Sequence, residues 1–127
     1  SQLRLVMAEA EIIRAQFGDV PVFVVGDMNC EEGTVPIQQM IQGGYKPCYK
    51  VATVYGDTHN GHHICSPKDG YSTVSCRRGP DRETGAIDHC LVYDPSKTVE
   101  VKVFDCIMED YLVKLTDHYP NIIDVKL

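Results

Sequence analysis

The feature that most constrains the fold is an apolar run at residues 22–25 that leads into Gly26-Asp27-Met28-Asn29. Four consecutive valine and phenylalanine residues predict a short strand that is buried on both faces. Gly26 allows a sharp exit from this strand, because glycine tolerates backbone conformations that other residues avoid. The exit exposes the carboxylate of Asp27 and the carboxamide of Asn29. Because α/β folds place their chemistry at strand ends, the run predicts an α/β fold with a polar site at this edge.

Two more aspartates, each followed by a histidine, stand at the edges of apolar segments. Asp88-His89 opens one apolar run, and Asp117-His118 comes shortly before another. Three such aspartates, one with an asparagine and two with a histidine beside them, indicate metal-assisted cleavage of a phosphate ester. His89 follows Asp88 along a strand, so its side chain is expected on the opposite face, with a structural role.

Hydrophobic periodicity predicts the remaining helices and strands. Apolar residues recur at three- and four-residue steps from 2 to 17, which predicts an amphipathic helix lying on a sheet. A second short helix is predicted at 35–42, and strands are predicted at 87–93 and 122–127. Residues 99–103 alternate between valine and charged side chains, so a half-exposed partner strand is predicted there.

The predicted strands at 22–25 and 87–93 are apolar on both faces, whereas the predicted helices cover only one side. One sheet face is therefore expected to be uncovered, and such a surface exceeds what a soluble monomer tolerates. A second polypeptide is expected to lie against it. The chain also starts at Ser1 directly in a helical pattern, which suggests a piece of a longer protein.

The bulk composition limits the class of protein. At 127 residues and 43% hydrophobic content, the chain can form one compact domain but hardly two. Its longest apolar runs are about four residues, far below the ~20 that a transmembrane helix needs, and no signal peptide is evident. The chain is therefore expected to be soluble. The formal net charge of −6 argues against nucleic-acid binding by general electrostatics, which requires a basic face.

A local basic stretch lies within the turn-rich segment at 45–85, which is expected to contain loops, small strands and substrate contacts. Lys68, Arg77, Arg78 and Arg82 could draw a phosphate-bearing ligand to this segment. An equally weighted alternative is a solvated loop with no ligand.

The same segment contains clustered histidines at positions 59, 62 and 63. Clustered imidazoles are good zinc ligands. Their spacing is not helical, however, and no fourth ligand is evident. A polar loop near the mouth of the site is therefore favoured over a zinc centre.

Six cysteines show no C-x-x-C pair, so zinc-type and thioredoxin-type spacings are absent from the sequence. Cys90 and Cys106 lie in apolar strand patterns and are expected to be buried small hydrophobes. Cys65 and Cys76 bracket a turn-rich segment and could be bridged in an oxidising compartment. The compartment stays open, and secretion would be compatible with paired cysteines.

Three motifs in order carry a resemblance to a known family. They are Gly26-Asp27-Met28-Asn29, Ile87-Asp88-His89 and Thr116-Asp117-His118-Tyr119-Pro120. Together they resemble the C-terminal signatures of the endonuclease/exonuclease/phosphatase superfamily, which includes pancreatic-type deoxyribonucleases, abasic-site endonucleases, inositol polyphosphate phosphatases and sphingomyelinases. The resemblance implies that residues 1–127 form the C-terminal half of a four-layer α/β sandwich, with a mixed, mainly antiparallel sheet and helices on one face.

The resemblance also implies roles for the motif residues. Asp27 would be the general base and Asn29 would donate its amide to a phosphoryl oxygen, although such a motif can also be a loop bonded to its own backbone. His118 would stabilise the transition state, with Asp88 as its carboxylate partner. Asp117 would face Mg²⁺ or Mn²⁺.

The function implied is hydrolysis of a phosphodiester or phosphomonoester. Candidate substrates are a nucleic acid, a phosphoinositide or a phospholipid head group. The family's first half supplies a metal-binding asparagine and glutamate that have no counterpart here, so activity is expected only with an N-terminal half present as a missing segment or a second chain. The alternative is a non-catalytic binding or structural domain that retains the fold.

Overall fold

The computed structural model describes residues 2–55, 87–107, 118 and 120–127. Helices and strands alternate in residues 2–55, and every element described after residue 87 is a strand. Their order is α1 (Gln2–Phe17), β1 (Val22–Asp27), α2 (Val35–Gln42), β2 (Lys46–Pro47), α3 (Cys48–Val51), β3 (Val54–Tyr55), β4 (Asp88–Tyr93), β5 (Glu100–Cys106) and β6 (Asn121–Lys126). Both longer helices match the predicted ranges, and the strands predicted at 87–93 and 122–127 are found within one residue.

The helix α1 ends where the sequence predicts. The Gly18 N–H donates to the Arg14 carbonyl oxygen at 2.8 Å, and Gly18 itself has a φ of 86°. This left-handed conformation is open to glycine without the steric penalty that a Cβ would bring. The helix then presents Leu3, Met7 and Ala10 to the sheet.

The first sheet has the strand order β1-β4-β2, and both pairings are antiparallel. The second sheet has the order β3-β5-β6, with β3 parallel and β6 antiparallel to β5. The fold is therefore α/β and mainly antiparallel, as predicted, with the one parallel pairing of the described strands in the second sheet.

The strand predicted at 99–103 is present as β5, but it pairs with β3 and β6 and not with the preceding β4. The turn between the two strands explains the change of sheet. The Asp94 carboxylate accepts hydrogen bonds from the Thr98 N–H and hydroxyl at 3.0 and 2.7 Å and from the Val99 N–H at 2.9 Å. These bonds hold a wide turn that carries the chain into the second sheet, where a hairpin would have required a tight one.

Two apolar clusters show how the layers stack. On one face of the first sheet, Leu91 packs with Ala10 of α1, Met40 of α2 and Tyr45. On the other face, Cys90 and Val92 pack against residues of the second sheet and α3, among them Val101, Phe104, Cys48 and Tyr49. The helices α1 and α2 therefore cover one face of the first sheet, and the second sheet together with α3 covers the other.

The expectation of an uncovered sheet face is wrong for β4, because the chain's own second sheet lies against it. Residues 89–92 are all buried. Exposed large apolar side chains lie elsewhere, among them Val25 at the end of β1, Val54 of β3 and Ile122 of β6. No helix in the described segments has both the length and the apolar character needed to cross a bilayer.

Candidate active site

The pairing of β1 with β4 places two of the predicted aspartates opposite each other. Their register aligns Asp27 with Asp88, and the Met28 N–H continues the ladder by donating to the Ile87 carbonyl oxygen at 2.9 Å. The Asp27 side chain is 39% exposed and that of Asp88 is 12% exposed. The two carboxylates thus meet at one end of the first sheet, with Asp27 the more accessible to solvent and ligands.

His118 joins these two carboxylates. Its Nδ1 lies 2.5 Å from Asp88 Oδ2, a short hydrogen bond, and its Nε2 lies 3.7 Å from Asp27 Oδ2. Ligand atoms of the three side chains all fall within 4.8 Å of one another, close enough to hold one metal ion. Residues 27, 88 and 118 therefore converge at one end of the first sheet, and Asp88 is the partner of His118 that the resemblance implies.

Asn29 contacts Asp27 through its backbone. The Asn29 N–H donates to Asp27 Oδ1 at 2.8 Å, and Asn29 has a left-handed φ of 50°, which asparagine tolerates better than most residues. This bond is the self-bonded loop foreseen as the alternative. Asn29 is exposed, and the donation of its side-chain amide to a phosphoryl oxygen stays a prediction.

A cavity of about 820 Å³ opens beside the cluster. Its polar lining residues are Asp27, Asp88, His89, His118 and Asn121, and its apolar ones are Val25, Cys90, Pro120 and Ile123 with Gly26 between. A cavity of this size falls in the range of small-molecule sites, which combine apolar walls with a few convergent polar groups.

Several predicted residues lie outside the described part of the chain. These are Asp117, the basic stretch at 68–82, the histidines at 59, 62 and 63, and the Cys65 and Cys76 pair. The Cys106 side chain is likewise not described, whereas Cys90 is buried as predicted.

His89 has the structural role that its position predicts. It is buried, and its Nε2 lies 2.6 Å from the Cys30 carbonyl oxygen, just beyond Asn29. Asp88 on β4 therefore faces the cluster, and the next residue, His89, contacts the loop that carries Asp27 and Asn29.

A second anchor of this loop was not predicted. Glu32 is 1% exposed, and its Oε2 accepts a hydrogen bond from the Tyr49 hydroxyl at 2.5 Å. The Lys50 ammonium lies 2.7 Å from Oε1, close enough for an ion pair although it is not aligned as a hydrogen bond. No spacing rule distinguishes this buried glutamate from the exposed Glu31 before it; only the contacts from Tyr49 and Lys50 do so.

Comparison with known proteins gives structural matches only. No protein-family model matches the chain, and no curated protein sequence matches it significantly. An endonuclease/exonuclease/phosphatase structure from Bacteroides vulgatus superimposes with a TM-score of 0.67 and 22% identity, covering 98% of this chain and 42% of its own. A mannosyl-6-phosphatase from Bacteroides thetaiotaomicron gives a TM-score of 0.66 at 15% identity, with 98% and 44% covered.

A third match, an endonuclease/exonuclease/phosphatase family protein from Bacteroides thetaiotaomicron, has a TM-score of 0.65 and 14% identity. The superposition covers 43% of that protein's length and 97% of this chain. The chain therefore has the endonuclease/exonuclease/phosphatase fold and spans less than half the length of the structures it matches. This share agrees with the C-terminal half that the order of the motifs predicts.

Proposed function

We propose that residues 1–127 form the C-terminal half of an endonuclease/exonuclease/phosphatase domain and contribute the catalytic residues of a divalent-metal-dependent phosphoesterase. One observation supports the proposal above the others. Asp27, Asp88 and His118, which are far apart in sequence, bring their ligand atoms within 4.8 Å at the mouth of a cavity.

Asp27 is the general base. The Asn29 N–H binds Asp27 Oδ1, which fixes the carboxylate and leaves Oδ2 on the side of His118. A carboxylate held in this way can take a proton from a water molecule that attacks phosphorus. The Asn29 side-chain amide donates to a phosphoryl oxygen and is neutral, so it does so without adding charge.

His118 stabilises the charge that develops on the phosphoryl group. Its hydrogen bond to Asp88 fixes the orientation of the imidazole ring and supports the positive charge of the protonated form. His118 Nε2 lies 3.7 Å from Asp27 Oδ2, so a phosphoryl oxygen bound beside Asp27 would lie close to this nitrogen.

A divalent cation fits this donor set. Two carboxylates repel an anionic phosphate ester, and a hard cation that prefers oxygen ligands removes that repulsion. Since Asp88 is engaged by His118 and Asp27 is the base, the residue proposed to hold Mg²⁺ or Mn²⁺ is Asp117, with the Asp27 carboxylate beside the cation and not bound to it directly. The bound cation would neutralise charge on the phosphoryl oxygens as it builds in the transition state.

The substrate class is narrowed by charge and by one structural neighbour. The net charge of −6 favours a small molecule or a lipid head group, such as that of a phosphoinositide or phospholipid, over a nucleic acid. One of the matched structures is a mannosyl-6-phosphatase, so a sugar phosphomonoester is a further candidate. Phosphodiesters of small molecules, lipid head groups and sugars are also candidate substrates.

Full activity is proposed to need the rest of the domain, supplied as another segment or as a second chain. The chain spans 42% to 44% of the length of the neighbours, so ligands for the cation would be missing from this piece. The isolated 127 residues are expected to bind Mg²⁺ weakly and to turn over little substrate, because Mg²⁺ demands near-ideal coordination before it gives up water.

The test is a hydrolysis assay on the longest native form that contains this chain. A generic phosphodiester and several phosphomonoesters are offered with Mg²⁺, with Mn²⁺ and with a chelator. Asp27→Asn should lower kcat by at least about a hundredfold with little change in KM, because the base acts only in the transition state. Asp124→Asn, an exposed carboxylate outside the cavity, is the matched control and should leave kcat unchanged.

The second candidate is a non-catalytic binding or structural domain. The short span relative to the matched structures favours it. Its signature would be the absence of metal-dependent turnover in the longest form, with the fold intact by circular dichroism. Activity that survives Asp27→Asn at the level of the Asp124→Asn control would equally remove Asp27 from the mechanism.

A further inference from the structure

Two cysteines far apart in sequence touch in the core between the sheets. The Cys90 thiol donates to the Cys48 sulfur across an Sγ–Sγ distance of 3.3 Å, and the two residues are separated by 42 positions. Cys48 is completely buried and Cys90 is 6% exposed. Cys48 lies on α3 and Cys90 on β4. Both residues belong to one packed cluster, which holds the two sulfur atoms next to each other.

We propose that Cys48 and Cys90 form a disulfide bond when the chain meets a small-molecule disulfide oxidant such as oxidised glutathione. The sulfur atoms must approach by about 1.2 Å to reach the disulfide length of about 2.05 Å. Cys30, the third cysteine whose side chain is described, is bound instead by its backbone carbonyl to His89 and is not part of the pair.

The reaction is a thiol–disulfide exchange in two steps. One protein thiolate attacks a sulfur of oxidised glutathione, which forms a mixed disulfide and releases one glutathione thiolate. The second protein thiolate then attacks the protein sulfur of the mixed disulfide, forms the Cys48–Cys90 bond and releases the second glutathione. The two protons lost by the protein thiols end on the two glutathiones, and the oxidant gains the two electrons that the protein loses.

Access to the pair determines when the reaction takes place. The pKa of the Cys48 thiol is raised above its usual range by its hydrogen bond with Cys90 and then by burial, so the reactive thiolate is scarce in the folded chain. Cys90 lines the cavity beside Asp88 and is the sulfur that an oxidant can reach first. The bond should therefore form readily during folding and slowly in the folded protein.

The bond would tie α3 to the strand that carries Asp88. Cys90 lies two residues after Asp88, and its side chain points to the same face of β4. A cross-link that closes a loop of this length restricts the unfolded chain, so the oxidised form is expected to melt about 10 °C above the reduced form. The positions of Asp27 and His118 should not change, because the sulfur atoms are already adjacent.

The test is peptide mapping of protein refolded in a glutathione buffer, with free thiols blocked before digestion. Because trypsin does not cut between Lys46 and Pro47, Cys30 and Cys48 share the tryptic peptide 15–50, whereas Cys90 is the only cysteine in peptide 83–97. The mapping is therefore done on Cys30→Ser as well as on the unmodified sequence. The expected result is a linked pair of these two peptides in both proteins.

Two outcomes would overturn the proposal. One is a peptide 83–97 that carries a blocked, unlinked Cys90 after refolding with excess oxidant. The other is a Cys90 linked to a peptide that does not contain Cys48. Melting supplies a second measurement: in Cys30→Ser the reductant should lower Tm by about 10 °C more than in the double variant Cys30→Ser/Cys90→Ser. Equal shifts in the two proteins would contradict a Cys48–Cys90 bond.

Discussion

The strand β4 takes part in two regions of the molecule, one built from apolar side chains and one from polar side chains. At Leu91 it is completely buried under α1 and α2, in a cluster of apolar side chains. At Asp88, three residues earlier, it meets two polar side chains from distant segments at the edge of a large cavity. One short strand thus carries both stabilising and functional contacts, and the two should respond differently to mutation.

The largest effect is expected at the polar end. His118→Asn should lower kcat by about a hundredfold to a thousandfold in the longest active form, because it removes the group proposed to stabilise the transition state. Loss of its hydrogen bond to Asp88, whose side chain is 12% exposed, should also lower the free energy of unfolding by about 1 to 2 kcal/mol. Steady-state kinetics and urea unfolding on the same preparation check both halves. A wild-type kcat in His118→Asn would remove this residue from the mechanism.

The helix-covered end should show the opposite response. Leu91→Ala is expected to lower the free energy of unfolding by about 3 kcal/mol, because it removes buried methyl groups and leaves a cavity. The matched control is Leu5→Ala on the outer side of α1, where the side chain is 69% exposed and the loss should be below about 0.5 kcal/mol. Equal losses in the two variants would mean that the core has been assigned to the wrong face of the sheet.

A smaller effect is expected at the buried anchor of the Asp27 loop. Tyr49→Phe should cost about 1 to 2 kcal/mol, because it deletes the hydroxyl that donates to the buried Glu32 carboxylate. Combining it with Glu32→Gln in a double-mutant cycle isolates the coupling between the two side chains. Chemical denaturation of the four proteins gives the cycle, and additive losses would contradict a direct bond.

The smallest effect concerns the turn between the sheets and depends on pH. Burial alone would raise the pKa of Asp94, but hydrogen bonds from Thr98 and Val99 outweigh it and lower the pKa overall. A lowered pKa in the folded state means that the stabilisation is present above the unfolded value of about 3.9 and is lost as the pH falls below it.

Asp94→Asn should therefore destabilise the protein by less than about 1 kcal/mol at pH 7. The difference from the unmodified protein should shrink as the pH approaches 3. Unfolding curves at both pH values measure this, with Asp124→Asn as the control for loss of one carboxylate. A penalty that is larger at pH 3 than at pH 7 would contradict the hydrogen bonds as its source.

Local hydrophobic periodicity was enough to predict the two longer helices, each of which buries one apolar face. The ranges 2–17 and 35–42 were predicted as helices and are observed as α1 and α2, because apolar spacing and the glycines that follow each helix act locally. The sheet assignment of β5 was not predictable in the same way. It depends on the hydrogen bonds of the Asp94 turn and on packing against β3 and β6, which are distant in sequence.

The candidate site likewise contains residues that the sequence predicts and residues that it does not. The resemblance implied Asp88 as the partner of His118, which the hydrogen bond between them matches, and the β1–β4 register places Asp27 directly opposite Asp88. Single-sequence patterns could not identify Glu32 as a buried anchor, because burial of a charge depends on partners that periodicity does not encode. The backbone bond from Asn29 to Asp27 was foreseen only as an alternative, although it also positions the proposed base.

The proposed function requires a divalent-cation site beside Asp27 at the polar end of the first sheet. The most direct test is Mn²⁺ binding, followed by electron paramagnetic resonance of the free ion, to the unmodified chain, Asp27→Asn and Asp124→Asn. We expect Asp27→Asn to weaken Mn²⁺ binding at least about tenfold, since a negative charge beside the cation is lost, while Asp124→Asn should bind Mn²⁺ as the unmodified chain does. Equal affinity in all three proteins would contradict it.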